Sequence, residues 1–173
     1  MAISATTLTD MVLDAGSLYI ASVDIGATVG GSQFTVQQEI YWPDLDGARG
    51  NVVGTGKVIN EVARLVANAA EITIAKIAAI LPTVVSASGG GSEYTSINTF
   101  GYVGSSQHKS VEWKGQTMDL DNIIITLFNA MNNGGNLEMA FTDTGETVYP
   151  ITFEGFYGST TPTTRTWQIA IQS

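Results

Sequence analysis

The sequence predicts a mainly β domain carrying one short helix, and three observations lead there. Apolar and polar residues alternate over several runs. Gly, Ser, Thr, Asn and Asp interrupt the chain at short intervals between those runs. One alanine-rich stretch has a capping residue before it and a proline after it. Alternation with period 2 is what a half-buried strand requires, because successive side chains leave on opposite faces.

The first clear run is 34–42, where Phe34, Val36, Ile40 and Trp42 point one way and Thr35, Gln37, Glu39 and Tyr41 the other. A loop over 43–56 follows, rich in Gly and Asp, with Asp46-Gly47 as a standard turn pair. Periodicity leaves 57–70 open between strand and helix, since Val58, Val62, Leu65, Val66 and Ala69 also fit a helical stripe continuing to Ile72. Thr73 is placed to cap a helix over 74–81, and Pro82 stops it. Ser86 to Ser92, SASGGGS, reads as a flexible loop too short to separate two cores. Three further runs, 136–142, 148–157 and 166–172, alternate as strands. Asp143-Thr144-Gly145-Glu146 supplies a hairpin turn between the first two.

With 173 residues and 44% apolar content the chain fits one domain over 1–173, with extended loops near 43–56 and 86–110. No apolar run reaches the roughly 18 residues of a membrane span, and the N-terminus lacks the pattern of a secretory signal, which predicts a soluble protein made in a cytosol. The absence of cysteine excludes disulfides and thiolate chemistry. A formal charge of −9 opposes tight non-specific adhesion to nucleic acid or anionic lipid, so a contact with DNA would have to be a weak, sliding one.

Motifs for catalysis are missing. GTGKV at 54–58 fails as a phosphate loop: Asn51 stands where glycine is needed, and Val58 where a magnesium-holding hydroxyl is needed, so Gly54 and Gly56 read as turn residues. Asp44, Asp46 and Gly47 lack the later ligands and closing glutamate of a calcium loop. His108 has no suggested partner and reads as an exposed loop residue; Asp119 and Asp121 read as capping or solvated acids. No catalytic residue, metal site or cofactor is expected.

IGATVGGSQF at 25–34, DLDGARGNVVGT at 44–55 and EITIAKIAAILP at 71–82 together resemble segments of the major tail tube proteins of long-tailed bacteriophages. IIITLFNA at 123–130, NLEMAF at 136–141 and VYPITFEG at 148–155 are similar to the C-terminal half of that family. The resemblance spans nearly the whole chain, and Asp-Gly-Ala-Arg-Gly at 46–50 is its most specific part. The loop over 86–110 and the alanine-rich 58–80 depart from the pattern.

The resemblance implies a β-sandwich or partly closed β-barrel with one short flanking helix, shared more distantly with contractile-tail and type VI secretion tubes. It favours a strand over 57–70. It also implies a non-enzymatic virion protein, assembled in the bacterial host cytoplasm, whose hexameric rings stack into a hollow tube for double-stranded DNA. The implied partners are further copies of the chain, the tail initiator or distal tail protein, the terminator and the tape measure protein. The loop after the second strand is implied to reach the neighbouring ring, which gives contact roles to Asp46, Gly47, Arg49 and Gly50.

Polar positions of the alternating runs include Glu39, Glu138 and Glu154, opposite core positions Phe34, Ile40, Leu137, Phe141, Ile151 and Phe153. On a tube wall such an acidic face lining the lumen would keep DNA moving, since duplex DNA carries about one charge per 1.7 Å of axis; the same glutamates also suit an outer face turned to solvent. Two alternatives stand beside this expectation. One is a related ring protein: a terminator, distal tail protein or secretion tube. The other is a carbohydrate-binding sandwich using Trp42, Trp113 and Trp167, weakened because Trp42 and Trp167 fall on apolar faces.

Overall fold

Alternation becomes strand wherever a second strand can satisfy the backbone, and the computed structural model consists mostly of such pairings. It describes residues 16–26, 28–71, 73–81, 84–86, 94–96, 103–117, 121–133, 138–139, 147–160 and 164–172. The strands are β1 (Ser17–Ile20), β2 (Val23–Asp24), β3 (Thr28–Tyr41), β4 (Lys57–Ala69), β5 (Val84–Ser86), β6 (Tyr94–Ser96), β7 (Lys109–Gln116), β8 (Asn122–Asn132), β9 (Tyr149–Gly155) and β10 (Trp167–Gln172). Helix α1 spans Ile74–Ile80.

Eight strands form one antiparallel sheet in the order β2-β1-β7-β8-β9-β4-β3, with β10 added on β8. The two ends of this path are not joined, so the sheet is open and the expected partial barrel does not close. Strand β8 divides its free edge between two partners. Its first half, Asn122 to Leu127, pairs with β10, and its last three residues, Ala130 to Asn132, pair with β9. Between them Asn129 adopts φ 48°, where the ladder to β7 also slips, so an αL residue turns the strand from one partner to the next.

The core lies on one face of this sheet. Leu18 and Ile20 of β1, Val111 and Trp113 of β7, Leu127 of β8, Ile151 and Phe153 of β9, and Ala63, Leu65, Ala67 and Ala69 of β4 are all buried. Helix α1 begins at Thr73, whose hydroxyl accepts from the Lys76 N–H at 3.4 Å, and ends at Leu81; Ile80 is buried and Ala79 and Leu81 pack against the core. Its start is fixed by the Lys76–Glu71 ion pair at 2.9 Å, which lies so close over Gly26 that a Cβ there would meet the Glu71 carboxylate at 2.5 Å.

Strand β4 resolves the ambiguity over 57–70 in favour of a strand, and the helix falls at 74–80 as the Thr73 cap and Pro82 predict. Strands β9 and β10 lie within the expected 148–157 and 166–172. The strand expected at 136–142, apart from Glu138 and Met139, and the whole of the hairpin turn at 143–146 lie outside the described residues, as do Leu137, Phe141, Asp119 and residues 87–92. Ser86 itself belongs to a small β5–β6 pair, so the segment 86–110 contains β structure.

Candidate functional site

The hairpin of β3 and β4 is longer than the sheet that supports it. Backbone pairing runs from Thr28 opposite Ala69 to Tyr41 opposite Lys57, whereas β9 covers β4 only from Arg64 to Ala69. Beyond Arg64 the hairpin continues as a two-stranded arm. A register shift between Glu39 and Ile40, where Asn60 and Val58 are their partners, leaves Ile59 as an extra residue.

That bulge decides which side chains share a face. Phe34 and Val36 of β3 pack on the core opposite Leu65 and Ala63 of β4, so Gln38 and Glu61 come next on the same face. The extra residue then brings Val58 into phase with Ile40. The core-side face therefore runs on past the core as Ile40 and Val58, with Trp42 beyond them, and these are 46%, 48% and 37% exposed. The Trp42 ring lies against Gly56, where a Cβ would approach it to 2.8 Å. Ile40 was expected in the core. It shares the core face, but among the described residues no third strand covers it, and Trp42 lies past the strand end.

The tip is built from two turns. The Ala48 N–H donates to the Leu45 carbonyl at 3.1 Å around Asp46-Gly47, and the Thr55 N–H donates to Val52 at 3.2 Å around Val53-Gly54. Gly47 and Gly54 hold φ 88° and 89° at the third turn position, a conformation that favours glycine. Gly56 is not a turn residue; its bare Cα admits the Trp42 ring instead. Val53, at the second tip, is 98% exposed.

The four expected contact residues come together here. Asp46 and Gly47 form the first turn, Arg49 and Gly50 follow it, and all four are exposed. Among the ion pairs of the described residues none joins Asp46 to Arg49. The three expected lumen carboxylates are spread further apart. Glu39 is exposed on the arm and Glu138 is exposed in the short described piece 138–139. Glu154 lies on β9, half-buried, ion-paired with Arg64 at 2.9 Å and accepting from Asn133 Nδ2 at 2.5 Å. Glu39 and Glu154 share the sheet face opposite the core, as their alternation predicts.

Glu61 was not singled out by sequence. The signal was present: it is an acid in phase with Ala63, Leu65 and Ala67. Its carboxylate accepts from Trp167 Nε1 at 2.9 Å, from Thr166 Oγ1 at 3.4 Å and from Gln38 Nε2 at 2.6 Å.

Elsewhere, an open cleft of about 430 Å³ is lined by Val103, Ser105, His108, Asn129, Tyr157 and Ser159, among others. His108 is half-buried rather than freely exposed, with its ring edge-on to Phe156 at 5.1 Å and Nδ1 3.3 Å from the Gly104 carbonyl. Among the described residues that line this cleft, none carries a carboxylate or ammonium group. Among the described residues no group of three His, Cys, Asp or Glu could hold a metal, and no helix is long and apolar enough to cross a membrane. The three tryptophans offer no common platform: Trp113 is buried, Trp167 is tied to Glu61 and packs on Phe34, and Trp42 sits on the arm. Comparison of the chain with family models and with curated proteins gives no match.

Proposed function

We propose that the chain is a major tail tube subunit of a long-tailed bacteriophage, a structural protein whose rings stack into a hollow conduit for double-stranded DNA. The projecting arm carries this reading. The segment DLDGARGNVVGT, which bears the most specific part of the resemblance, forms the loop at its end, and an uncovered apolar face leads to that loop. Side chains exposed as Ile40, Val58, Trp42 and Val53 are exposed would each contribute about 1 kcal/mol on being covered by a neighbouring subunit. Repetition around a ring and along a tube multiplies so small a term.

Two further features support assembly. Strand β3 presents 14 residues as an outer edge of the sheet, a liability for a subunit that stays alone and an asset for one that closes against neighbours. The arm places Asp46, Gly47, Arg49 and Gly50 at its far end, where a subunit of the next ring would meet them. The proposed partners are other copies of this chain and the tail proteins that start, end and measure the tube. DNA passes without lasting contact.

Negative-stain imaging and sedimentation of the purified protein test the proposal. Rings or tubes with a central channel are expected as concentration rises or on adding tail initiation components. Monomer at every concentration, with and without those components, overturns it.

A further inference from the structure

We infer that Glu61 is a latch that holds the arm at a fixed angle to the body of the subunit before any assembly. A ribbon of two strands is marginal by itself and free to twist about its base. Support from β9 ends at Arg64, so the residues beyond it need another tie. Among the described residues no backbone ladder joins β4 to β10, which pairs with β8 instead.

Glu61 bridges that gap. One carboxylate oxygen receives the Trp167 indole N–H at 2.9 Å and the Thr166 hydroxyl at 3.4 Å; the other receives the Gln38 amide at 2.6 Å. Glu61 and Gln38 belong to the two strands of the arm. Thr166 is wholly buried, and its carbonyl accepts from the Phe128 N–H of β8 at 2.8 Å, so Thr166 and Trp167 belong to the body. The Phe34 and Trp167 rings, with centroids 5.7 Å apart, add a contact at the same junction.

An apolar side chain at position 61 would pack there without direction. A carboxylate meeting three donors fixes distance and angle, and charge-assisted bonds are the stronger kind. The latch is a property of the separate subunit. Its use, an arm that loses less conformational freedom when it docks, rests on the proposed function.

Backbone hydrogen exchange at a dilution where the protein is monomeric reads the latch without requiring tubes. Glu61→Ala should speed exchange of the amides in 36–41 and 57–62 by about 10-fold or more, leaving those of β8 and β9 unchanged. Trp167→Phe keeps the ring against Phe34 but removes the indole donor; it should speed the same amides and decides the matter if Glu61→Ala does not fold. Glu61→Gln, which keeps one acceptor for the indole but loses the charge and the second oxygen, should speed the same amides less than Glu61→Ala does. Arm amides unchanged in Glu61→Ala and Trp167→Phe overturn the latch, as does faster exchange spread evenly over the whole sheet. A protein that shows the local effect yet never forms tubes retains the latch and loses the tube assignment.

Discussion

Replacing Gly115 by alanine sets two effects of opposite sign against each other. Gly115 lies in β7 opposite Ile123, and glycine inside a strand is ordinarily worse than alanine by about 0.5–1 kcal/mol, so propensity alone predicts a gain. The neighbouring ring reverses this. A Cβ on Gly115 would stand 2.3 Å from Cη2 of Trp113 and 2.9 Å from Cζ2 and Cζ3, closer than carbon atoms approach without displacement. The ring cannot move freely, because another edge of it lies against Gly16, where a Cβ would meet Cε2 at 2.2 Å. Only 9% of Trp113 is exposed. Overpacking costs about 1–3 kcal/mol, rising toward the 3–5 kcal/mol of losing an aromatic if the ring is expelled, so the net loss should be about 1–4 kcal/mol. With a urea dependence of about 1–3 kcal/mol per molar, the midpoint should fall by about 1 M. Urea titrations of dilute protein, followed by circular dichroism, measure it. The loss should shrink in a Trp113→Leu background, where the obstructing ring is gone. A midpoint for Gly115→Ala equal to or above wild type would refute the steric argument.

The arm and the acidic face give the remaining tests. Arg49→Glu should shorten or abolish tubes while changing stability by less than about 0.5 kcal/mol, since the side chain is exposed; tubes of normal length in electron micrographs would remove the stacking role. Val53→Asp should leave the circular dichroism spectrum and melting curve of the monomer intact yet raise the concentration needed for assembly, which light scattering follows. The triple change of Glu39, Glu138 and Glu154 to lysine should still give tubes but slow DNA ejection, with the defect easing as salt shortens the screening length from about 8 Å. Ejection at the normal rate would show that these carboxylates do not face DNA. Within that triple, Glu154→Lys alone should cost about 1 kcal/mol in urea titrations, because it sets a second cation beside the partly exposed Arg64.

Much of the fold was legible because local patterns and tertiary partners agree. The alternation of Ile151 and Phe153 with Thr152 and Glu154 matches a strand whose odd positions are buried, and the Thr73 cap with Pro82 brackets a helix at 74–80. Strand β4 was harder for a physical reason. Its buried face is Ala63, Leu65, Ala67 and Ala69, so three of four core positions carry only a methyl group and contrast weakly with half-buried Val62 and Val66 on the other face. The β1–β2 turn was invisible for a different reason: Ala21 and Ser22 hold φ 49° and 68°, a mirror-image turn usually announced by Asn-Gly. The bend at Asn129 likewise depends on β8 changing partners, a tertiary event.

The turn at Asp46-Gly47 was legible from its residue pair, yet the apolar face leading to that loop was read as core, and the reason is general. Alternation reports which face of a strand a residue occupies; it carries no information about whether another layer lies over that face. Phe34, Val36 and Ile40 obey one pattern, but Phe34 and Val36 pack on the core while Ile40 is nearly half exposed. What separates them is the length of β9, whose seven residues end their ladder at Arg64 opposite Glu154. The one local hint is Glu61, an acid standing in phase with buried alanine and leucine at the place where the covering strand ends. A charged residue interrupting a core-phase run thus marks a boundary. On its near side β9 continues the sheet beside β4, and on its far side the apolar face of Ile40, Val58 and Trp42 stays exposed.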